Sequence, residues 1–407
     1  MKALKREKRL LRLVYLLCLL LFITLGFLQK PFDTFAVVMG IVLCVLIGYS
    51  HFIIRRFYPD GDKFILIFSS VLAVVGVATL YRINRVTAIK QLVWIAIGMI
   101  SYILIVVILP DLRSFSKYKK IYMIVTLLLM PLALIFGTEQ YGAKNWIIID
   151  KSISFQPSEF GKIALVLYLA SALATYENKK SFKEEFKELW QPALVAGFSM
   201  GCMVLQRDLG SALIFFGISI TLLYVATSKK KYVFTALGLA AIGSVAGYSM
   251  FGHVRERVMI WLDPWKYALG ESYQIVEGMY SIAAGGLFGV GLGQGHFQNL
   301  PVKESDMIYA IICEEFGIIF AIGLMIIYFL LFYRGIRAAF VTDDKYSQLI
   351  AVGFSTMIAC QTLVIIGGIF AVIPLTGITL PIVSYGGSSV LTIFFALGIL
   401  QKISEEA

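Results

Sequence analysis

The feature that most limits what this chain can fold into is a succession of apolar runs, each about 20 residues long, the length that carries an α-helix across a bilayer. Twelve such segments are read, near 12–28, 33–54, 64–80, 91–109, 120–137, 157–175, 191–206, 210–227, 232–251, 309–333, 347–370 and 382–402. No long linker or low-complexity tract interrupts them, so they read as one membrane domain. With 59% hydrophobic and only 15% charged residues, the 407-residue chain lacks the polar groups that a soluble surface of that size needs. The expected fold class is an all-α polytopic membrane protein.

The formal charge of +11 would suit nucleic acid, but the Lys and Arg residues fall in short bursts between apolar runs and make no continuous basic face. No nucleic-acid partner is expected. Lys2, Lys5, Arg6, Lys8, Arg9 and Arg12 precede the first run without a small-residue cleavage site, which predicts an uncleaved first helix entered from the cytoplasm. Arg55-Arg56, Lys117, Lys119 and Lys120, Lys229 to Lys231, and Arg334 with Arg337 then fall on the cytoplasmic side, as do both termini. Arg82, Arg85 and Lys90 break the rule: either the span count slips there, or these cations face an anionic substrate outside. The five cysteines lie in apolar runs and the three histidines are scattered, so neither a disulfide framework nor a metal-ligand motif is read.

By the same parity the segments richest in polar and turn residues emerge outside: Gly142 to Trp146, Gln206-Arg207-Asp208, the long stretch 252–308, and Pro374 to Ser389. The mixed-charge run from Tyr176 to Trp190 is cytoplasmic and reads as a solvated amphipathic helix. The glycine-dense stretch 285–295 allows close backbone packing or approach to a ligand, and is not a P-loop, because no Gly-Lys-Ser/Thr closes it. From spacing alone, Ser305 or Asp306 caps the following helix, or Asp306 is a general base at the membrane surface. Glu314 and Glu315 lie one to two turns into that helix, and are either functional or paired with a cation such as Lys162. Glu159 and Lys162 have the spacing of a helix-start ion pair, and Arg207-Asp208 reads as a buried pair ordering a tight turn. Trp146 and Trp265 have the character of interfacial anchors.

Taken together and in order, these segments resemble the SEDS family of shape, elongation, division and sporulation proteins. The resemblance runs from about residue 62 to the C-terminus. It rests on Gly142-Ala143-Lys144-Asn145-Trp146-Ile147, Phe155 to Lys162, Asp208-Leu209-Gly210-Ser211-Ala212, Tyr273-Gln274, Gly285 to Gly291, Leu300-Pro301 to Ser305-Asp306, Glu314-Glu315-Phe316-Gly317, and above all the specific run from Pro374 to Ser389. It implies a ten-span core over 62–407, with residues 1–61 and their two helices as an N-terminal addition. It further implies polymerisation of lipid II, an undecaprenyl-pyrophosphate-linked glycan precursor, beside a class B penicillin-binding protein. The family's essential acidic residue falls on Asp306, which turns the reading of that position from cap to base, and its tryptophan after the Gly-Ala pair falls on Trp146. Ile365 and Ala371 stand where Asn and Gly are expected, and Glu277-Gly278 replaces Gln-Ser. These departures bear on the subgroup.

The reaction so implied exchanges an α-linked pyrophosphate for a β-glycoside, so one in-line displacement and one base suffice. Charge on the leaving pyrophosphate must be met by a divalent metal such as Mg or Mn, or by Arg and Lys. The candidates are Arg82, Arg85, Lys144, Arg207, Arg255 and Arg257, with Glu159, Lys162, Asp208, Glu314 and Glu315 as structural polar residues. Two other functions remain open on sequence: a flippase for lipid II, and a non-catalytic scaffold that activates a penicillin-binding protein.

Overall fold

The computed structural model describes residues 2–140, 142–150, 153–177 and 182–405. Within them the chain forms fourteen α-helices: α1 (Lys2–Phe27), α2 (Thr34–Phe57), α3 (Phe64–Ile83), α4 (Arg85–Ile108), α5 (Lys119–Phe136), α6 (Pro157–Ala174), α7 (Phe182–Leu205), α8 (Leu209–Thr227), α9 (Lys230–Met250), α10 (Gly252–Leu262), α11 (Tyr273–Gly285), α12 (Ile308–Val341), α13 (Lys345–Ile369) and α14 (Gly387–Glu405). Among the described residues, eleven helical segments are long and apolar enough to cross a membrane. The span expected at 191–206 is not among them. Its helix, α7, starts inside the charged run with Lys183, Glu184 and Glu185 and carries Pro192 within it, so its apolar part is shorter than the others. Yet it runs from Glu185, paired with Lys229 and Lys231, to Gln206, which donates to Met130 O at 2.6 Å, and so passes between the same two ends as α5 and α8. The run 176–190 thus does not form a separate solvated helix, and its positions 178–181 lie outside the described residues.

Burial sorts the spans into layers. α3 and α6 are 89% and 83% buried over their apolar windows and α13 78%, whereas α9 is 0% buried. Helices that are apolar all round and buried all round belong at the centre, and α9 faces outward along its whole length. α1 and α2 form a hairpin against α3 and α4.

Two segments expected as outer loops are built structure. Residues 138–155 contain a three-stranded antiparallel sheet of β1 (Thr138–Gln140), β2 (Ala143–Asp150) and β3 (Ile153–Phe155), which the helical reading did not include. Residues 252–308 contain α10 and α11. The twelfth expected span begins later than 382, at Gly387, because residues 370–386 form an irregular loop.

The glycine-dense stretch is explained by α12, which breaks at Gly317 (φ 84°, ψ 166°). The freed backbone groups are recovered by the strand of glycines running alongside. Val290 and Gly291 N–H donate to the carbonyls of Glu314 and Glu315 at 2.9 and 3.0 Å, and Ile318 N–H donates to Gly286 O at 3.0 Å. Gly289 and Gly317 are in backbone contact with each other, so neither has room for a side chain. Inside a membrane, a helix break is tolerated only where such partners exist.

Candidate active site

The irregular loop 370–386 is fixed from three sides. Gln91, fully buried on α4, donates to Ile382 O at 3.0 Å and Ser384 O at 2.9 Å and accepts from Gly386 N–H at 3.3 Å. Gln361 on α13 donates to Thr379 O at 2.9 Å. From α10, Arg257 Nη1 donates to Leu375 O at 3.1 Å and Trp261 Nε1 to Ala371 O at 2.8 Å. These two side chains are one turn apart and so share a face of the helix.

The loop in turn holds the segment ahead of α12. Tyr385 N–H donates to Glu304 O at 2.9 Å and the Ser384 hydroxyl to Ser305 O at 2.6 Å. Asp306 does not cap α12: the cap position is Met307, with no side-chain bond to the helix. Its carboxylate lines a cavity of about 590 Å³ enclosed by the small sheet, the start of α8, α10, α11 and the two loops. Burial pushes its pKa up to about 6, raised further by Asp208 and opposed by the Ser305 hydroxyl and Arg257.

Of the residues singled out in the sequence, Asp306, Asp208, Arg207, Arg257, Trp146 and Glu159 line this cavity. Asp208 does not pair with Arg207. One oxygen accepts from Ser211 N–H at 2.9 Å, capping α8, and the other from Asn145 Nδ2 at 3.0 Å and the Ser211 hydroxyl at 2.9 Å. Arg207, in the left-handed region at φ 62°, turns outward to Glu139 at 3.2 Å. Glu159 is bound by Lys162 at 2.9 Å and by the Thr392 hydroxyl at 3.1 Å, and Lys162 also donates to Gln361 at 2.8 Å. This fully hydrogen-bonded buried pair supports the cavity wall.

The other candidates lie elsewhere. Arg82 ion-pairs with Glu315 at 3.3 Å and stacks on Phe297, and Arg85 reaches Asp33 at 3.8 Å and covers the Phe35 ring. These internal partners account for Arg82 and Arg85, two of the three cations that broke the loop rule. Lys144 donates to Leu134 O at 2.8 Å, and Arg255 to Ser249 O at 3.2 Å. Glu314 and Glu315 do not meet Lys162. They accept backbone N–H groups from His296 at 2.6 Å and Gly293 at 3.1 Å, tying the glycine stretch to α12.

The sequence reading missed His253, Glu256, Gln274, Glu304 and Thr376, all of which line the cavity. His253 Nε2, Gln274 Nε2 and Thr376 Oγ1 are buried without a hydrogen-bond partner among the described residues. Buried polar atoms left unpaired at a cavity wall are suited to a polar ligand. His253 is held below its usual pKa by burial and by Arg207 and Arg257, so its ring is neutral near pH 7. Gln274, Glu304 and Thr376 were visible as members of the motif segments; His253 had no signal, because only the fold brings it to the others. Among the described residues no group of three His, Cys, Asp or Glu could hold a metal ion.

A model of the FtsW/RodA/SpoVE family, described as a cell cycle protein, matches residues 61–407. The chain is 35% identical over 395 residues to peptidoglycan glycosyltransferase RodA of Mycobacterium tuberculosis, covering 90% of this chain and 83% of that one. It is 34% identical over 360 residues to stage V sporulation protein E of Bacillus subtilis, covering 84% and 96%. Among solved structures it matches a chain from a study of the structural coordination of polymerization and crosslinking by a peptidoglycan synthase complex, at TM-score 0.72 and 26% identity, over 85% of this chain and 98% of that one. Thermus thermophilus RodA, at TM-score 0.64 and 24% identity, covers 85% and 97% and shares the fold.

Proposed function

This chain belongs to the FtsW/RodA/SpoVE family and is a multi-pass membrane peptidoglycan glycosyltransferase, and from that premise we propose that Asp306 is its general base, acting on lipid II in the cavity at the start of α12. One observation carries the reading: the Asp306 carboxylate lines a polar cavity with its pKa raised to about 6 and a cation, Arg257, within electrostatic reach. A base poised just below working pH is ionised yet still basic enough to accept a proton in the transition state.

The acceptor's glucosaminyl 4-hydroxyl gives its proton to Asp306. Its oxygen bonds to the donor's anomeric carbon, and the bond from that carbon to the pyrophosphate breaks with inversion. Proton removal of this kind contributes roughly 10²–10⁴-fold. Arg257 meets the charge on the departing pyrophosphate, with Arg207 at the cavity edge. The described side chains do not form a metal-ion cluster, and no step is assigned to a metal. His253, Gln274 and Thr376 supply free hydrogen-bonding atoms for sugar hydroxyls.

The family match starting at residue 61 supports reading α1 and α2 as an addition to a core over 62–407. The basic clusters support cytoplasmic termini and an outward-facing cavity, with Arg334 and Arg337 at the far end of α12 from Asp306. A relative solved within a synthase complex that couples polymerization and crosslinking supports a crosslinking partner, a class B penicillin-binding protein. The test is polymerisation of purified lipid II. Asp306→Asn folds and binds the partner but yields no glycan; full product from it ends the assignment.

A further inference from the structure

The opposite end of α12 carries a second cavity, of about 520 Å³, that the glycosyl-transfer site does not use. Four arginines line it: Arg6 and Arg9 from the first turns of α1, and Arg334 and Arg337 from the last turns of α12. The rest of its wall is apolar, from Leu10, Leu13 and Phe64. On α1, positions 6, 9, 10 and 13 form one stripe, so the two arginines stand directly outside the apolar surface below them.

The arginines are not equivalent. Arg334 pairs with Asp62 at 3.0 Å and its guanidinium lies 4.3 Å over the Phe64 ring, so it is held as a fixed wall. Arg6, Arg9 and Arg337 have no acidic partner among the described residues. Three uncompensated guanidinium groups converging on one cavity repel one another, a cost that an anion removes.

The depth of the cluster identifies the kind of anion. From Arg6 to Phe27, the end of α1, a helix rises about 30 Å, the thickness of a hydrocarbon core. That puts the guanidinium groups at the level of lipid phosphates in the leaflet on the N-terminal side, with Leu10 and Leu13 facing the first methylenes of the acyl chains. We propose that this cavity is a binding site for the phosphate headgroup of an anionic phospholipid, clamped between α1 and α12. Bidentate guanidinium–phosphate pairing supplies the recognition. Because α1 belongs to the N-terminal hairpin and the other end of α12 begins two residues after Asp306, the lipid fastens the hairpin to the catalytic core.

Native mass spectrometry of the full-length protein, purified with phosphatidylglycerol or with phosphatidylcholine, tests this. Wild type retains phosphatidylglycerol in preference to phosphatidylcholine. The triple variant Arg6→Gln, Arg9→Gln, Arg337→Gln weakens that retention roughly a hundredfold, through the loss of the charge-assisted guanidinium–phosphate bonds. A control triple variant, Lys5→Gln, Lys8→Gln, Arg12→Gln, removes equal charge from exposed positions outside the cavity and retains phosphatidylglycerol as wild type does. Equal loss in both variants would show a diffuse surface charge and no site. Displacement of the lipid by millimolar inorganic phosphate would show a soluble anion as the ligand. Either result overturns the proposal, as does undiminished retention by the first variant.

Discussion

Gly377 lies so close to Asp306 that a Cβ placed on it would sit 3.3 Å from Oδ2 of the carboxylate, and its backbone is left-handed at φ 69°. Gly377→Ala therefore strains the loop by about 1–2 kcal/mol and presses on the carboxylate. The expected result is a polymerisation rate down about a hundredfold, the usual consequence of an ångström-scale misplacement, with the melting temperature only slightly lowered. A rate equal to wild type would mean that the loop does not position Asp306.

The pH profile follows from burial of Asp306. Its pKa is raised to about 6, so the base is lost as pH falls through 6, and kcat/KM should drop tenfold per pH unit below that point. The stability effect has the opposite sense. The folded state takes up a proton below about pH 6 that the unfolded chain binds only near its ordinary value of about 3.9. Stability is thus lower above pH 6 than below the ordinary value, and falls as pH rises between them. Asp306→Asn should raise the melting temperature near neutral pH and give no gain in strong acid. A flat profile between pH 5 and 8 in both measurements contradicts the assignment.

The candidate cations separate by test. Arg257→Gln, on the cavity wall, should lower kcat/KM by at least about tenfold, with partial rescue in Arg257→Lys, which keeps charge but loses the planar fork. Arg82→Gln, which strips Glu315 of its ion pair, should lower thermal stability and leave KM unchanged. Steady-state kinetics beside thermal melting distinguishes the two, and the reverse pattern would move the pyrophosphate site to the α3–α4 turn.

Lys162→Met leaves Glu159 as an uncompensated buried charge, at a cost of about 3–5 kcal/mol. Glu159→Gln with Lys162→Met in one protein should recover much of that loss. Melting temperatures in detergent read the outcome; an additive double variant would show that the pair is not coupled.

At α12 the expectation is structural. Gly317→Ala places a Cβ against the backbone of Gly289 at φ 84°, so the break in the helix cannot form as built. Protein yield in the membrane should fall sharply, and a normal yield with normal activity would show that the glycine stretch can repack.

The membrane fold, the apolar helices that build it and the family were legible in the sequence alone. Apolar length and motif order are local properties, written in consecutive residues. The sequence could not assign the charges. Arg82 and Glu315, or Arg85 and Asp33, are joined by packing between helices far apart in the chain, so both arginines read as free cations until the fold supplied their partners. His253 remained inconspicuous for the same reason: an unpaired atom at a cavity wall is defined by what surrounds it in space. Tertiary structure decided which cation stands near the base, because electrostatic pairing depends on distance through space and not on order along the chain.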